Sequence, residues 1–459
     1  MIITRFSPAP TGDLHIGGAR TALFNWLFAR HHNGEFHLRI ENTDLQRSKD
    51  EFTNSIIESL KWMELNWNHI SYQNENLNEH VKIANMLLAS GYAYRCYTSE
   101  EDLEKQREQS KKLGKVFIHD RKWRNVKEVQ EGPYAVRFKM PLNQTLTIND
   151  VVQGKVSIQS DQLDDFVILR RNGSPTYLLS AVVDDMNAKV THVIRGNDHL
   201  TNTFKQQEIL KALNSNLPIY AHIPLIHNCE GAKLSKRHGA LSVLEYKKQG
   251  ILPMAFCNYL LRLGWSHGND EIISREQAIK WFNLENIGKA SARFDEEKLY
   301  STNSIYMRSL TETELRDEVF TFAKNMKYNL INDETWSKIS SILPSIAART
   351  KTIKELSNDV YDFFGSELPK YNYDVVKPIN TKVKNFLMKY VPIKGSKEEI
   401  ELNLRNKLMN ESLSLKDVAL HIRLALTGRK VSPGLFDMMF VLSEYEYTSR
   451  IKAWLKKVS

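Results

Sequence analysis

Two short stretches of this chain carry residue types suited to phosphate chemistry. Near the N-terminus, "SPAPTGDLHIGGAR" (7–20) sets His15 beside Gly17 and Gly18, where a β-branched run gives way to an amphipathic one. A glycine-rich turn entering a helix presents backbone N–H groups and the positive end of the helix dipole, which attract an anion. Glycine lets a phosphate approach with no Cβ in the way, and His15 adds a side-chain donor. Further along, "GAKLSKRHG" (231–239) sets Lys233, Lys236 and Arg237 around Ser235. Clustered cations suit a polyphosphate whose negative charge grows in a transition state. Taken singly, each stretch has a plainer reading: a tight turn with a structural histidine, and a solvated basic loop. Neither is a Gly-x-Gly-x-x-Gly or Walker sequence, so neither a dinucleotide fold nor a P-loop kinase follows.

The elements that must hold these residues are legible in part. "IITRF" (2–6) reads as a strand, 19–30 as a helix with Leu23, Trp26 and Leu27 on one face, and "EFHLRI" (35–40) as a second strand after an Asn33-Gly34 turn. Strand–turn–helix–strand is the opening of a doubly wound α/β sheet. Helices are expected over 51–65 and 79–90, and Thr98-Ser-Glu-Glu101 reads as a capping box. Residues 133–170 break into short strands separated by Gly, Pro and Asn, a β-rich insertion. "PTYLLSAVVDD" (175–185) and "THVIRGND" (191–198) have buried-strand composition; "NTFKQQEILKAL" (202–213) reads as a helix and "YAHIPLI" (220–226) as a strand. Beyond 250 the pattern is mostly helical, over 252–263, 312–327, 373–390, 397–409, 414–427 and 434–457.

Composition narrows the class. With 459 residues, the chain is too long for one core at about 100–200 residues per domain. Apolar residues at 42% and charged residues at 25% are those of a globular protein. The net charge is +9, and residues 301–459 hold 25 Lys and Arg against 19 Asp and Glu, a mild footprint for a phosphate backbone. Cys96, Cys229 and Cys257 have neither metal-ligand nor redox spacing. The N-terminus lacks the apolar core of a secretory signal, and no apolar run is long enough for a membrane span. A cytoplasmic protein with no membrane partner is expected.

Together the two phosphate-type stretches resemble the paired signatures of class I aminoacyl-tRNA synthetases, the HIGH and KMSKS motifs. The wider set "TRFSPAPTGDLHIGGARTALFNWLFAR", "LRIENTD", "PTYLLSAVVDD", "VIRGNDHLTNT", "AKLSKRHGALSV" and "LALTGRKVSPGLFD" is similar to bacterial glutamyl-tRNA synthetase, in the same order from residue 2 to about 451. The resemblance implies a Rossmann-type doubly wound parallel sheet at 1–90 and 176–228. It implies an inserted acceptor-stem-binding domain at 91–175 and a connective domain at 229–308 carrying the KLSKR loop. An all-helical anticodon-binding region would follow at 309–459. It implies ATP-dependent ligation of L-glutamate to the 3′ end of tRNA(Glu) through a glutamyl adenylate, with tRNA(Gln) as an alternative acceptor.

The resemblance also implies roles. ATP would lie on His15, Gly17, Gly18, Lys233, Ser235 and Lys236, with Mg²⁺; His15, Lys233 and Lys236 would be catalytic. Glutamate would meet Arg5, Ser7, Glu41, Tyr177 and Arg195. Arg349 and Lys351, in "AARTKTIKEL" (347–356), would face the anticodon. A second basic stretch is "HIRLALTGRK" (421–430). A related family that modifies a tRNA base with glutamate lacks an anticodon domain, and glutaminyl-tRNA synthetase has a β-barrel back half; the long helical region after 310 speaks against both. A non-catalytic tRNA-binding paralogue is the reading of a different class. A monomer is expected.

Three departures from the family pattern stand out: Ala9 where a serine is usual, Asn42 where an aspartate is usual, and Asn197 where a glutamate is usual. Some relatives hold zinc in the insertion with Cys-x-Cys and Cys-x-His. Here Cys96 is joined by Thr98, Trp123 and Asn125. One thiol cannot replace four ligands, so no zinc is expected.

Overall fold

The β-branched and aromatic run Ile3–Phe6 forms β1, buried at every position, as a parallel strand covered on both faces must be. In this computed structural model β1 leads through the Pro- and Gly-rich turn into α1 (Ile16–His31) and on to β2 (Glu35–Ile40). The structure describes residues 1–44, 46–114, 116–126, 128–232, 234, 241–328, 331, 333–365, 368–371 and 379–458. The chain divides into two units, Met1–Glu245 with Phe256–Asp295, and Tyr246–Ala255 with Glu296–Ser459.

In the first unit α2 (Asp50–Trp62), β3 (His69–Tyr72), α3 (Leu77–Ala89), β4 (Ala93–Cys96) and α4 (Glu100–Lys112) follow β2. Next come β5 (Ala135–Phe138), β6 (Thr145–Asp150), β7 (Gly154–Gln159) and β8 (Val167–Leu169). Then α5 (Tyr177–Asn187), β9 (His192–Gly196), α6 (Leu200–Ala212) and β10 (Ile219–Ile223) complete the sheet region. β1, β2 and β3 pair in parallel, and so do β9 and β10. The two halves meet where Thr191 N–H donates to the Ile3 carbonyl (3.0 Å) and Ile3 N–H to Thr191 Oγ1 (2.9 Å). Two sheets, β3-β2-β1 and β9-β10-β6-β7, thus abut at this seam with β1 beside β9. The chain therefore reverses its direction of winding between β1 and β9. In open α/β sheets ligands bind at the carboxyl ends of the strands flanking such a point.

α1 packs against this seam. Leu23, Trp26 and Leu27 are buried as their spacing predicts, each contributing about 1.5–3 kcal/mol. Asn25 anchors the helix: its amide donates to the Ile194 carbonyl (2.9 Å), and its own backbone carbonyl accepts from Thr4 Oγ1 (2.9 Å).

Three readings need correction. "PTYLLSAVVDD" is mainly the helix α5, not a strand. Leu179–Asp184 are all buried, and a helix covered on nearly all sides loses the 3.6-residue polar stripe that would mark it. The cap of α4 is Ser99, whose Oγ accepts from Asp102 N–H (3.0 Å); Thr98 is engaged elsewhere. The helix expected over 434–457 is two, α18 (Leu435–Val441) and α19 (Glu444–Lys457), because Ser443 and Glu446 form a capping box that starts a new helix.

The segment 91–175 splits its allegiance. β4, β5 and β8 form an antiparallel sheet of their own. The β6–β7 hairpin instead joins the sheet of β9 and β10, with Asp150 opposite Tyr220. After β10 come β11 (Ile226–His227), α7 (Val243–Lys248), α8 (Pro253–Arg262), α9 (Arg275–Trp281) and β12 (Ala292–Arg293).

The second unit is helical. Besides α18 and α19 it contains α10 (Glu296–Ser309), α11 (Glu312–Asn325), α12 (Asp333–Ser340), α13 (Leu343–Ala347), α14 (Ile353–Phe364), α15 (Thr381–Lys389), α16 (Lys397–Asn410) and α17 (Leu415–Thr427). Its core is continuous and includes Leu356, Phe363, Leu404, Ile422, Tyr447 and Trp454. No helix among the described residues is long and apolar enough to cross a membrane.

Candidate active site

A cavity of about 560 Å³ opens at the carboxyl ends of β1 and β9. Arg5, Phe6 and Ser7 reach it from β1 and the turn after it, and Ile194, Arg195 and Gly196 from β9. Its wall also holds Ala9, His15, Gly17, Gly18, Glu41, Tyr177 and His199. Every cavity-facing residue singled out from the sequence within the described chain is thus brought to one place. Lys233, Ser235, Lys236 and Arg237 lie outside the described residues; Leu234 between them lines the cavity.

The N-terminus of α1 forms the anion-attracting side. Its first intrahelical bond runs from Ala19 N–H to the His15 carbonyl (2.9 Å), so the preceding N–H groups stand outside the helix's own ladder. The glycines here serve close packing. A Cβ on Gly18 would lie 2.7 Å from Leu14 Cδ1, and one on Gly17 3.3 Å from the His15 ring. A side chain at Gly17 would therefore press on the exposed imidazole, and one at Gly18 on Leu14. Arg20 is buried and donates to the carbonyls of Leu263 (2.6 Å) and Pro224. Burial pulls its guanidinium down to about 10.

Charge on the opposite side is arranged as a chain. Arg5 Nε donates to both oxygens of Asp185 (3.1 and 3.2 Å). Arg39 Nη1 donates to Asp185 (2.6 Å) and its Nη2 to Glu41 (3.2 Å). Asp185 comes from α5, the helix that the sequence pattern disguised. Burial alone would raise the Asp185 carboxyl, but Arg5 and Arg39 outweigh it and hold it below its ordinary value. Burial wins at Glu41, whose carboxyl is raised despite Arg39 beside it. The sequence reading missed Asp185 and Arg39. The Asp-Asp pair closing "PTYLLSAVVDD" was the available signal.

Arg195 is buried, and its Nη2 donates to Thr203 Oγ1 (2.6 Å) and Gln206 Oε1 (2.8 Å). Its Nη1 faces the Tyr177 hydroxyl at 3.5 Å, and that hydroxyl lies 3.3 Å from His199 Nδ1. Burial, with Arg195 adding to it, brings His199 down to about 4, so this ring is neutral at physiological pH. Burial, then Glu41, raises the Tyr177 hydroxyl. The result is a partly enclosed pocket whose wall holds the buried guanidiniums of Arg5, Arg20 and Arg195, the carboxylates of Glu41 and Asp198, and the Tyr177 phenol; Arg20 is turned to backbone carbonyls. It suits a small dianion that also carries an ammonium group.

Of the three departures from the family pattern, only Ala9 lines the cavity. Asn42 turns its Oδ1 to the Asn74 N–H (3.0 Å). Asn197 is not among the described lining residues. Ser7 also lines the cavity; its Oγ is buried and has no protein partner among the described residues.

Residues 1–301 match the sequence model of the class I tRNA synthetases (E and Q), catalytic domain, and residues 314–455 that of an anticodon binding domain. A glutamate–tRNA ligase of Zymomonas mobilis is 43% identical, with 98% of this chain and 96% of that protein covered. The chain belongs to the class I glutamyl-tRNA synthetases. A further glutamate–tRNA ligase, from Thermodesulfovibrio yellowstonii, is also 43% identical, over 98% of this chain and 99% of that one. A solved glutamate tRNA ligase from Elizabethkingia meningosepticum, in complex with its amino acid, superposes with a TM-score of 0.89 at 29% identity, covering 100% of both chains.

In this synthetase the residues at the zinc positions of some relatives are tied up with one another and with a histidine. Trp123 Nε1 donates to Thr98 Oγ1 (3.0 Å), which explains why Thr98 does not cap α4. Cys96 Sγ lies 3.4 Å from both Thr98 Oγ1 and His119 Nε2. Asn125 is exposed, and His119, which the sequence reading missed, fills the knot instead. Arg121 N–H donates to His119 Nδ1 (3.0 Å), so the proton sits on Nε2 and faces sulfur. Burial raises the thiol, but hydrogen bonds from His119 and Thr98 prevail and bring it to about 7. A thiol and one imidazole, with an indole and a hydroxyl bonded to each other, fall short of four zinc ligands.

In the helical unit, Arg349 donates to the Ser432 carbonyl, and Lys351 Nζ pairs with Glu297 (2.6 Å). Arg429, of the second basic stretch, pairs with Asp359 (2.7 Å) and Asp362. These cations have structural partners, so they offer less charge to a nucleic acid than their number suggests.

Proposed function

We propose that the cavity between the ends of β1 and β9 is where this synthetase binds L-glutamate beside ATP. The pair of buried guanidiniums, Arg5 and Arg195, facing one cavity rimmed by the N-terminus of α1, carries this reading. A carboxylate oxygen of glutamate attacks the α-phosphorus, the bond to the β-phosphate breaks, and pyrophosphate leaves with Mg²⁺ that entered with ATP. A ribose hydroxyl of the terminal adenosine of tRNA(Glu) then attacks the carbonyl carbon, and AMP leaves. His15 and the backbone of Gly17 and Gly18 hold ATP phosphate. Lys233, Ser235 and Lys236 take up the charge that grows on the leaving phosphates.

Arg5 and Arg195 grip carboxylate, Glu41 takes the α-ammonium group, and Tyr177 and Ser7 donate hydroxyl hydrogen bonds. The Ser7 hydroxyl serves in place of the one lost at Ala9. Glutamine is refused because its amide leaves a buried guanidinium without a countercharge. Arg349 and Lys351 meet the anticodon only by exchanging their present partners. The test is aminoacylation of purified tRNA(Glu) and tRNA(Gln) side by side, with glutamate and with glutamine. Glutamylation of neither tRNA overturns the reading.

Glutamate affinity should depend on pH through Glu41. Only the ionised carboxylate pairs with the ammonium group, so binding favours that form and expels a proton. Because burial raises the Glu41 value in the free enzyme, affinity climbs with pH through that value and levels off above it. Glu41→Gln should raise the glutamate KM by about tenfold or more and flatten this dependence. A variant that keeps the wild-type pH profile assigns the dependence elsewhere.

No structural zinc is expected at Cys96. Protein purified from metal-replete medium should contain far less than one zinc per chain by elemental analysis; stoichiometric zinc overturns this.

A further inference from the structure

Arg195 is held by more than its neighbours on β9 and α6. Its Nε donates to His222 Nε2 (3.2 Å), and His222 Nδ1 lies 2.6 Å from Asp150 Oδ2. The His222 and Asp150 side chains are fully buried. Asp150 closes β6 of the hairpin that joins the catalytic sheet, His222 lies on β10 opposite Arg195 of β9, and each strand is hydrogen-bonded to the next. The Asp150 carboxylate also accepts from the backbone N–H groups of Val152 (3.0 Å), Gln153 (2.8 Å) and His222 (3.1 Å). Tyr220 lies parallel to the imidazole, 6.1 Å between ring centroids.

The geometry leaves one tautomer. An arginine Nε can only donate, so His222 Nε2, which also lies 2.9 Å from the Thr203 hydroxyl, must offer a lone pair to Arg195 and Nδ1 must carry the proton, which goes to Asp150. Burial lowers the His222 value; Asp150 opposes this and Arg195 adds to it. A protonated ring would set an N–H of its own against the Arg195 donor. With Nε taken by His222 and Nη2 by Thr203 and Gln206, the guanidinium plane is defined on two of its three nitrogens. The third, Nη1, is the one beside Tyr177.

We propose that Asp150 and His222 are positioning residues for Arg195: Asp150 locks His222 in the tautomer that accepts from Nε, and this contact aims the Nη1 edge into the glutamate cavity. The inference rests on the assignment of that cavity to glutamate. It gives the β6–β7 hairpin a part in amino-acid recognition, although neither of the two residues lines the cavity.

Asp150→Asn tests the tautomer with almost no change in volume. Three backbone N–H groups need the one oxygen that the substituted side chain retains, so its amide NH₂ faces His222 Nδ1. The ring proton must then move to Nε2, where the Thr203 hydroxyl can accept it and Arg195 Nε loses its acceptor. We expect the glutamate KM to rise about tenfold or more, with the KM for ATP unchanged. The ¹⁵N shifts of His222 should move from the Nδ1–H to the Nε2–H pattern. A second pair covers the case in which this variant fails to fold. A glutamine amide places its oxygen near the position of Nε2, an asparagine amide near that of Nδ1. His222→Asn should therefore exceed His222→Gln in glutamate KM by about tenfold.

Arg195→Ala is the control for the underlying reading. If it raises the glutamate KM while Asp150→Asn and His222→Asn do not, the positioning role is wrong and the cavity assignment stands. If Arg195→Ala leaves the glutamate KM unchanged, the assignment itself fails and the positioning role fails with it. Variants that lower only the unfolding temperature, with no change in glutamate KM, also overturn the proposal.

Discussion

Asp185→Ala is expected to remove about 3–5 kcal/mol of folding stability, because it takes the ion-pair partner from buried Arg5 and leaves buried Arg39 with Glu41 and the more distant Asp184. The Arg5 and Arg39 side chains are 6% and 5% exposed, and both bond Asp185. Neither can lose its charge, and an unpaired buried cation costs more than the pair contributes. The measurement is urea unfolding of wild type and variant, read as a fall in midpoint at unchanged slope. The acid limb should change too. The Asp185 carboxyl sits below its ordinary value of 3.8 in the folded protein. Its contribution is therefore complete above that value and is lost as pH falls through the lower, folded one. The alanine variant should lack that part of the acid-induced loss. The glutamate KM should rise as well, since Arg5 loses the group that orients it. A stability loss under about 1 kcal/mol would mean that water or a second carboxylate compensates the arginines.

The largest effect on rate should come from Lys236→Ala. A loss of about 10²-fold or more in kcat is expected, as for removal of one preorganised charge stabiliser. Charge on the bridging and leaving phosphate oxygens grows only as the bond to the α-phosphorus breaks. The lysine therefore favours the transition state over bound substrate, and the loss falls on kcat rather than on glutamate KM. Single-turnover formation of the adenylate, followed with labelled ATP in the presence of tRNA, isolates that step. A rate within a few-fold of wild type refutes the role.

How far these sites were legible depends on where their partners lie in the chain. The turn from β1 into α1 is local: "SPAPTGDLHIGG" announces its own glycines, its helix start and its anion-attracting end. The same holds for the amphipathic face of Leu23, Trp26 and Leu27. Local rules failed where burial removed the pattern they rely on. α5 is buried along Leu179–Asp184, so its apolar run looked like a strand. Thr98 looked like a cap but bonds the indole of Trp123, 25 residues on, and the helix start moved to Ser99. In 434–457 the capping box at Ser443 was present in the letters, and the uninterrupted apolar spacing hid it.

The sequence by itself determined the family, the two phosphate-type stretches and the charged residue types that line the cavity. Those depend on residue identity and short spacing. Only the tertiary structure decided which charges are answered and by what. Asp185 reaches Arg5 across 180 residues and Asp150 reaches His222 across 72. Such pairs exist because sheet order and helix packing bring distant segments within hydrogen-bond reach and exclude water around them. That exclusion makes each unpaired charge costly, and no local pattern records it.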